Sequence, residues 1–183
     1  MRFYVIGISL ICIGISNNGV VTTVAPNLTD VGHSATFAAN ITSMAMGALA
    51  IGKLILGILY DKLGTRRASM LALAAILISN VGMYFARHMI AMPLIILGMG
   101  LGAAFCTVAL PLVTRDIFGN RAFSTLTGIF TACNNLGSAI GPSLLGTVCD
   151  MTGSYTPGYA FQFVLGLVFA TLLLLVMPGR KKA

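Results

Sequence analysis

The sequence predicts an all-α membrane protein: six transmembrane helices arranged as a 3+3 inverted repeat. Three observations carry that reading. The 183 residues are 57% hydrophobic and 8% charged, with a mean hydropathy of +0.96, whereas a soluble domain is about one-quarter charged. Apolar stretches near the roughly 20 residues a bilayer crossing needs recur along the chain. The second half of the chain echoes the first at a fixed offset. A β-barrel does not fit, because its strands would alternate polar and apolar side chains.

The spans fall at about 3–26, 35–60, 68–86, 90–114, 122–148 and 158–177. The first follows Met1-Arg2 and is too long for the hydrophobic region of a signal peptide; no small-residue cleavage site precedes Asn17-Asn18. It reads as a spanning helix. The second carries Lys53, the one charge inside an apolar span, and ends in a charged turn from Asp61 to Arg67. The third is a plain apolar stretch. The fourth holds Gly98, Gly100 and Gly102, which suit tight helix packing, and Pro93 and Pro111, which mark bends near its ends. The fifth contains Asn134-Asn135, and the sixth places Gln162 near its outer end, as an interfacial residue.

Short loops make successive helices antiparallel neighbours. On the side of the N-terminus lie Arg2, Lys62, Arg66, Arg67, Arg115, Arg121, Arg180, Lys181 and Lys182; on the other lies Arg87 alone. That asymmetry puts both termini in the cytoplasm of a multi-pass cell-membrane protein. The net charge of +7 therefore reports topology in the lipid bilayer, and no nucleic acid partner is implied. Tyr4, Tyr60, Tyr84, Tyr155 and Tyr159 sit near span ends, where rings anchor at the headgroups. Cys12, Cys106, Cys133 and Cys149 lack metal-ligand spacing and read as small apolar filler; no metal or cofactor is expected. His33 and His88 fall in outer loops, apart from each other. No catalytic constellation or phosphate-binding Gly-Lys-Ser/Thr motif is present, so neither an enzyme nor an ATP-driven pump is supported.

An offset of 89 positions places Gly52 on Gly141, Gly57 on Gly146, Asp61 on Asp150 and Gly64 on Gly153. Three spans separate the two copies of G-x4-G-x3-D-x2-G, so they face opposite sides of the membrane, as an inverted repeat requires. The chain is thus one domain, 1–183, with repeat A about 1–89 and repeat B about 90–183.

Lys53 lies eight residues before Asp61, about 12 Å into the membrane at 1.5 Å per residue. An ammonium there costs at least about 2.5 kcal/mol on insertion scales. It either binds an anionic small molecule in a wet cavity or snorkels to the surface. Asn17, Asn18, Asn134 and Asn135, all inside spans, either line that cavity or serve as interhelical glue. Asp61 sits unfavourably at a helix C-terminus, Gly57 permits close helix approach and Gly64 a sharp turn. No Asp or Glu lies within a span to carry a proton. Asn27 and Asn40 match the glycosylation sequon.

Gly57-x-x-x-Asp61-x-x-Gly64-x-Arg66-Arg67 resembles the loop signature between the second and third helices of a six-helix half in the major facilitator superfamily. Arg115-Asp116-Ile117-Phe118-Gly119-Asn120-Arg121 resembles the loop before the fifth helix. Gly141-Pro142-x-x-x-Gly146-x-x-x-Asp150-x-x-Gly153-Ser154-Tyr155 resembles the end of that helix in the C-terminal half. The chain is most similar to the oxalate/formate and monocarboxylate porters, where an arginine often stands at the position of Lys53; lysine keeps the charge and loses the bidentate fork. The resemblance implies half of a twelve-helix fold, with an anionic substrate held between two halves and released by alternating access. It also implies that Asp61 meets a helix end in the opposite half, either a missing N-terminal half or another copy. The alternative is a truncated or structural membrane subunit that transports nothing.

Overall fold

The computed structural model describes residues 2–120 and 122–176. Arg121, Arg180, Lys181 and Lys182 of the charge asymmetry lie outside the described residues. The elements are helical: α1 (Arg2–Asp30), α2 (Ala35–Leu63), α3 (Thr65–Tyr84), α4 (Ala91–Ala104), a π-helical turn (Phe105–Ala109), α5 (Leu110–Phe118), α6 (Phe123–Thr152) and α7 (Thr156–Val176). α4, the π turn and α5 run on as one stretch. Among the described residues, five stretches are long and apolar enough to cross a membrane: α1, α2, α3, the α4–α5 stretch and α7. α6 matches them in length at 30 residues. Its Ser, Thr and Asn side chains dilute its hydropathy, so the sixth expected span meets the length requirement alone.

Helices pack where glycine removes a side chain. A β-carbon at Gly137 would run into the Ile11 carbonyl and one at Gly141 into the Ile15 carbonyl, so α6 lies directly on the α1 backbone. The α4 run divides its faces. Gly98 and Gly102 sit against Ala75, Ile76 and Ser79 of α3, while Gly100 sits against Ala48 and Gly52 of α2. Beyond these pairs, α7 packs on α1 and α3, α2 on α1, and α6 on α5. Two apolar cores result. One, at the basal end where α1 begins, gathers Ile6, Leu10, Leu73, Phe105 and Phe130; the other, at the distal end, gathers Val24, Leu28, Ile95, Leu145 and Tyr159.

Several polar residues lie elsewhere than the sequence suggests. The turn after Asp61 shrinks to Gly64 alone; Asp61 and Lys62 finish α2, and Arg66 and Arg67 begin α3. Gly64 adopts φ 80°, ψ 164°, a region open essentially to glycine, and its N–H caps the Tyr60 carbonyl at 3.1 Å. Tyr60 and Tyr159 are buried rather than interfacial, their hydroxyls paired with Ser69 and Thr23 respectively. Gln162 is likewise fully buried, fitted over Gly19 with its amide donating to the Ile15 carbonyl at 3.3 Å. All three point inward because α1 and α3 offer a hydroxyl or a bare backbone opposite them. Asn27 is buried and its amide donates to the Met83 carbonyl, which leaves that sequon no room for a glycan in the folded chain. The two outer histidine loops meet rather than stand apart: the His33 ring bonds the Ala86 carbonyl, two residues before His88. Close by at that end, burial, with lesser contributions from Cys149, Asp30 and Asp150, raises the Tyr155 phenol above its ordinary range.

Prolines within helices deprive the carbonyl four residues earlier of its donor. Pro142 does this to Ser138, and the Asn18 side-chain amide replaces the donor at 2.7 Å. Pro111 stands in the first turn of α5, immediately after the π turn in which the Leu110 N–H reaches back five residues to the Phe105 carbonyl.

Candidate functional site

The four mid-span asparagines divide into two kinds. Asn17 and Asn134 are buried and both donate to the Cys106 sulfur, at 3.5 and 3.4 Å; Asn134 also donates to the Leu10 carbonyl. They join α1, α6 and the π turn. This is the glue reading, and it makes Cys106 an acceptor rather than filler. Asn18 is half-buried, with its amide on Ser138 and its carbonyl oxygen available, and Asn135 is exposed. Adjacent residues on a helix differ by about 100°, so each Asn-Asn pair supplies one structural and one outward amide.

Lys53 is exposed on α2, between buried Gly52 and the buried Leu56 further along. The free surface of α2 has two flanks. One carries Ser43, Met46, Ala50, Lys53, Gly57 and Asp61; the other carries Met44, Ile51, Ile55 and Ile58. The second flank is apolar enough to meet lipid tails. The first is not: it is small and polar around a charge. α6 repeats this division, with Gly128, Ala132, Asn135, Ala139, Gly146 and Asp150 on one flank and Ile129, Leu136 and Ile140 on the other.

The outward polar groups share a depth. Counted from the basal ends of their helices, Lys53, Asn135 and Thr107 lie about 15–18 Å in, near the middle of a hydrocarbon core about 30 Å thick. Asn18, bonded to Ser138, lies about one turn further from the basal end, roughly 22–24 Å in. Its neighbour Asn17 bonds Cys106, the neighbour of Thr107. Thus α2, α6 and the π turn each present one polar group at mid-depth, and α1 presents Asn18 about one turn beyond it.

The loop-motif residues sit at the basal end of α2. Asp61, Arg66 and Arg67 are exposed and Gly57 is half-exposed. A β-carbon at Gly57 or Gly146 would meet nothing within 4 Å. Among the described residues the close approach expected at Gly57 is therefore not made; it occurs one turn earlier, at Gly52.

The family model described as Major Facilitator Superfamily matches residues 6–183. The chain belongs to the major facilitator superfamily. Superfamily membership, with the apolar helices, makes it a multi-pass membrane protein of a class whose members are generally transporters rather than enzymes. No curated protein matches it.

For this superfamily member, sequence reasoning missed two site features. Thr107 is exposed at mid-depth, and the 89-residue offset that pairs the glycine motifs also carries Asn18 onto Thr107. That offset was the available signal. The Cys106 node was hidden, because nothing in a lone cysteine announces two amide donors from other helices.

Proposed function

We propose that this chain moves a small organic anion, of the monocarboxylate or dicarboxylate type, across the cell membrane by alternating access, as one six-helix half of a secondary transporter. The observation that carries the proposal is the mid-depth Lys53, exposed on a small, polar flank of α2; exposed Asn135 on the matching flank of α6 and half-buried Asn18 on α1 support it. An ammonium at that level is stable against water or an anion and costly against lipid. The lysine supplies charge and the Asn135 amide an oriented N–H to a carboxylate, while Asn18, its amide engaged on Ser138, offers its carbonyl oxygen as an acceptor. Asn17 and Asn134 leave the binding set and hold the helices that present it.

The 3+3 inverted repeat is part of this proposal. Packing of α1 on α6 has its counterpart in α4 on α2, and α7 on α1 in α3 on α4. Gly64 and Gly153 close α2 and α6 at equivalent positions with positive φ. The likeness to the oxalate/formate and monocarboxylate porters, and to their C-terminal half, rests on the motifs and on Lys53. The open flanks of α2 and α6, with Gly57, Gly146 and Asp61, are the surface for a second six-helix body, an N-terminal half or another copy. The basic loops support cytoplasmic termini.

Uptake of labelled carboxylic acids by proteoliposomes, with the assembly sized in detergent, tests the proposal. The expected result is a paired assembly whose uptake is abolished in Lys53→Ala and partly kept in Lys53→Arg. A monomer that takes up no acid supports the truncated or structural subunit instead.

A further inference from the structure

Three cavities join along one side of the bundle, in the seam between α3 and α7. The first, about 500 Å³, opens at the distal end and is polar, lined by Asp30, Arg87, His88, Ser154 and Thr156. The second, about 290 Å³, shares Tyr84 and Phe85 with the first and continues between Tyr159, Ala160 and Phe163. The third, about 300 Å³, shares Val81 and Phe163 with the second; its walls are apolar side chains alone, among them Ala74, Leu77, Ile78 and Leu94. One groove thus passes from charged to aliphatic, with exposed Tyr84 and Phe85 at the lip between. Its aliphatic part reaches from Tyr84, where α3 ends, back to Ala74. At 1.5 Å per residue that is about 15 Å, half of a hydrocarbon core about 30 Å thick.

The charges at the mouth come from different elements. Asp30 ends α1, while Arg87 and His88 lie in the loop between α3 and α4. All three are exposed, and among the described residues no ion pair joins Asp30 to Arg87. A carboxylate and a guanidinium beside one cavity match a headgroup that carries both signs. An aliphatic channel one leaflet deep matches a hydrocarbon tail. We infer that this groove binds a zwitterionic phospholipid of the distal leaflet: Arg87 takes the phosphate, Asp30 takes the headgroup ammonium, and one acyl chain lies along α3 and α7 as far as Ala74. Guanidinium suits the phosphate through paired N–H bonds, and Tyr84 stands at the level where aromatic rings anchor. The proposed anion site uses other helices, α2 and α6 at mid-depth, so this inference holds whether or not the chain carries an acid.

The test is photolabelling of the full chain in vesicles of phosphatidylethanolamine containing a trace of the same lipid with a diazirine at the end of one acyl chain, followed by peptide mapping. Label is expected on Ala74, Leu77, Ile78 and Phe163 at about five-fold or more the level on Leu97 and Ile51, which are exposed apolar residues outside the three cavities. In mixed micelles, unlabelled phosphatidylethanolamine is expected to displace the groove label about two- to five-fold better than phosphatidylglycerol, the worth of one exposed charge pair. Asp30→Asn should erase that preference, and Arg87→Ala should lower the groove label by a similar factor. Both side chains are exposed, so both variants are expected to elute from a sizing column as the wild type does. Ala160→Trp, which fills the middle cavity, should remove label from Leu77 and leave it on Ile51. Label spread evenly over the apolar surface means annular lipid only and overturns the inference. So does displacement by phosphatidylglycerol equal to that by phosphatidylethanolamine, or groove label unchanged in both Arg87→Ala and Ala160→Trp. If Ala160→Trp does not fold, the wild-type distribution and the two mouth variants decide.

Discussion

Replacing Gly137 by alanine adds one methyl group where α6 lies on α1. That carbon would overlap the Ile11 carbonyl, which is backbone and cannot rotate away. The helices must separate or slide, and the loss spreads along the contact that also holds Gly14 and Gly141. Overpacking of this kind costs about 1–3 kcal/mol, a change of roughly 5- to 150-fold in an equilibrium constant. Alanine's better helix propensity returns about 0.8–1 kcal/mol at most, so a net destabilisation remains over most of that range. Gly57→Ala is the matched control. It stands on a long helix of the same fold, and its new carbon meets nothing within 4 Å. Thermal unfolding in detergent, followed by the reaction of a thiol probe with Cys106 on opening, reads both. Gly137→Ala is expected to unfold several degrees earlier and Gly57→Ala at or slightly above the wild-type temperature. Equal temperatures for the two variants would refute the claim that backbone contact between α1 and α6 holds the bundle together.

The remaining predictions concern other junctions. Gly64→Ala and Gly153→Ala both place a β-carbon at positive φ, but Gly153 is left-handed helical (φ 72°, ψ 12°) and Gly64 is extended in ψ; the first should cost about 1 kcal/mol and the second up to about 3, read as the difference in their unfolding temperatures. Asn17→Ala and Asn134→Ala should each lower stability by about 0.6–2 kcal/mol. Because both donate to Cys106, the Asn17→Ala change should cost measurably less in a Cys106→Ala background, and full additivity would argue against the shared acceptor.

Hydropathy and glycine made much of the architecture legible before the structure. The helical stretches begin and end within a few residues of the expected spans, because bilayer-length apolar runs and glycine stops are local signals. The orientation of side chains around each helix was not local. In water, a polar residue marks an exposed face; in lipid, a polar residue seeks a partner on another helix, and hydropathy does not say which way it turns. Asn17 and Asn18 are adjacent and alike in sequence, yet one is buried against Cys106 and the other opens toward Ser138. Gln162 and Tyr159 read as interfacial by position, yet turn inward because Gly19 and Thr23 lie opposite. The π turn left one trace, Pro111, which marks a bend without revealing that the turn before it widens to a five-residue reach.

The join between α2 and α3 leaves no slack. With a single residue between them, two helices some 30–40 Å long meet at a corner that neither can leave, so a tilt of α2 in the plane of the bilayer must swing the foot of α3 with it. Lys53 then travels as part of a hairpin arm rather than on a free rod, and any stroke that hides it from one side of the membrane is transmitted straight to the seam where α3 leans on α4 and α7.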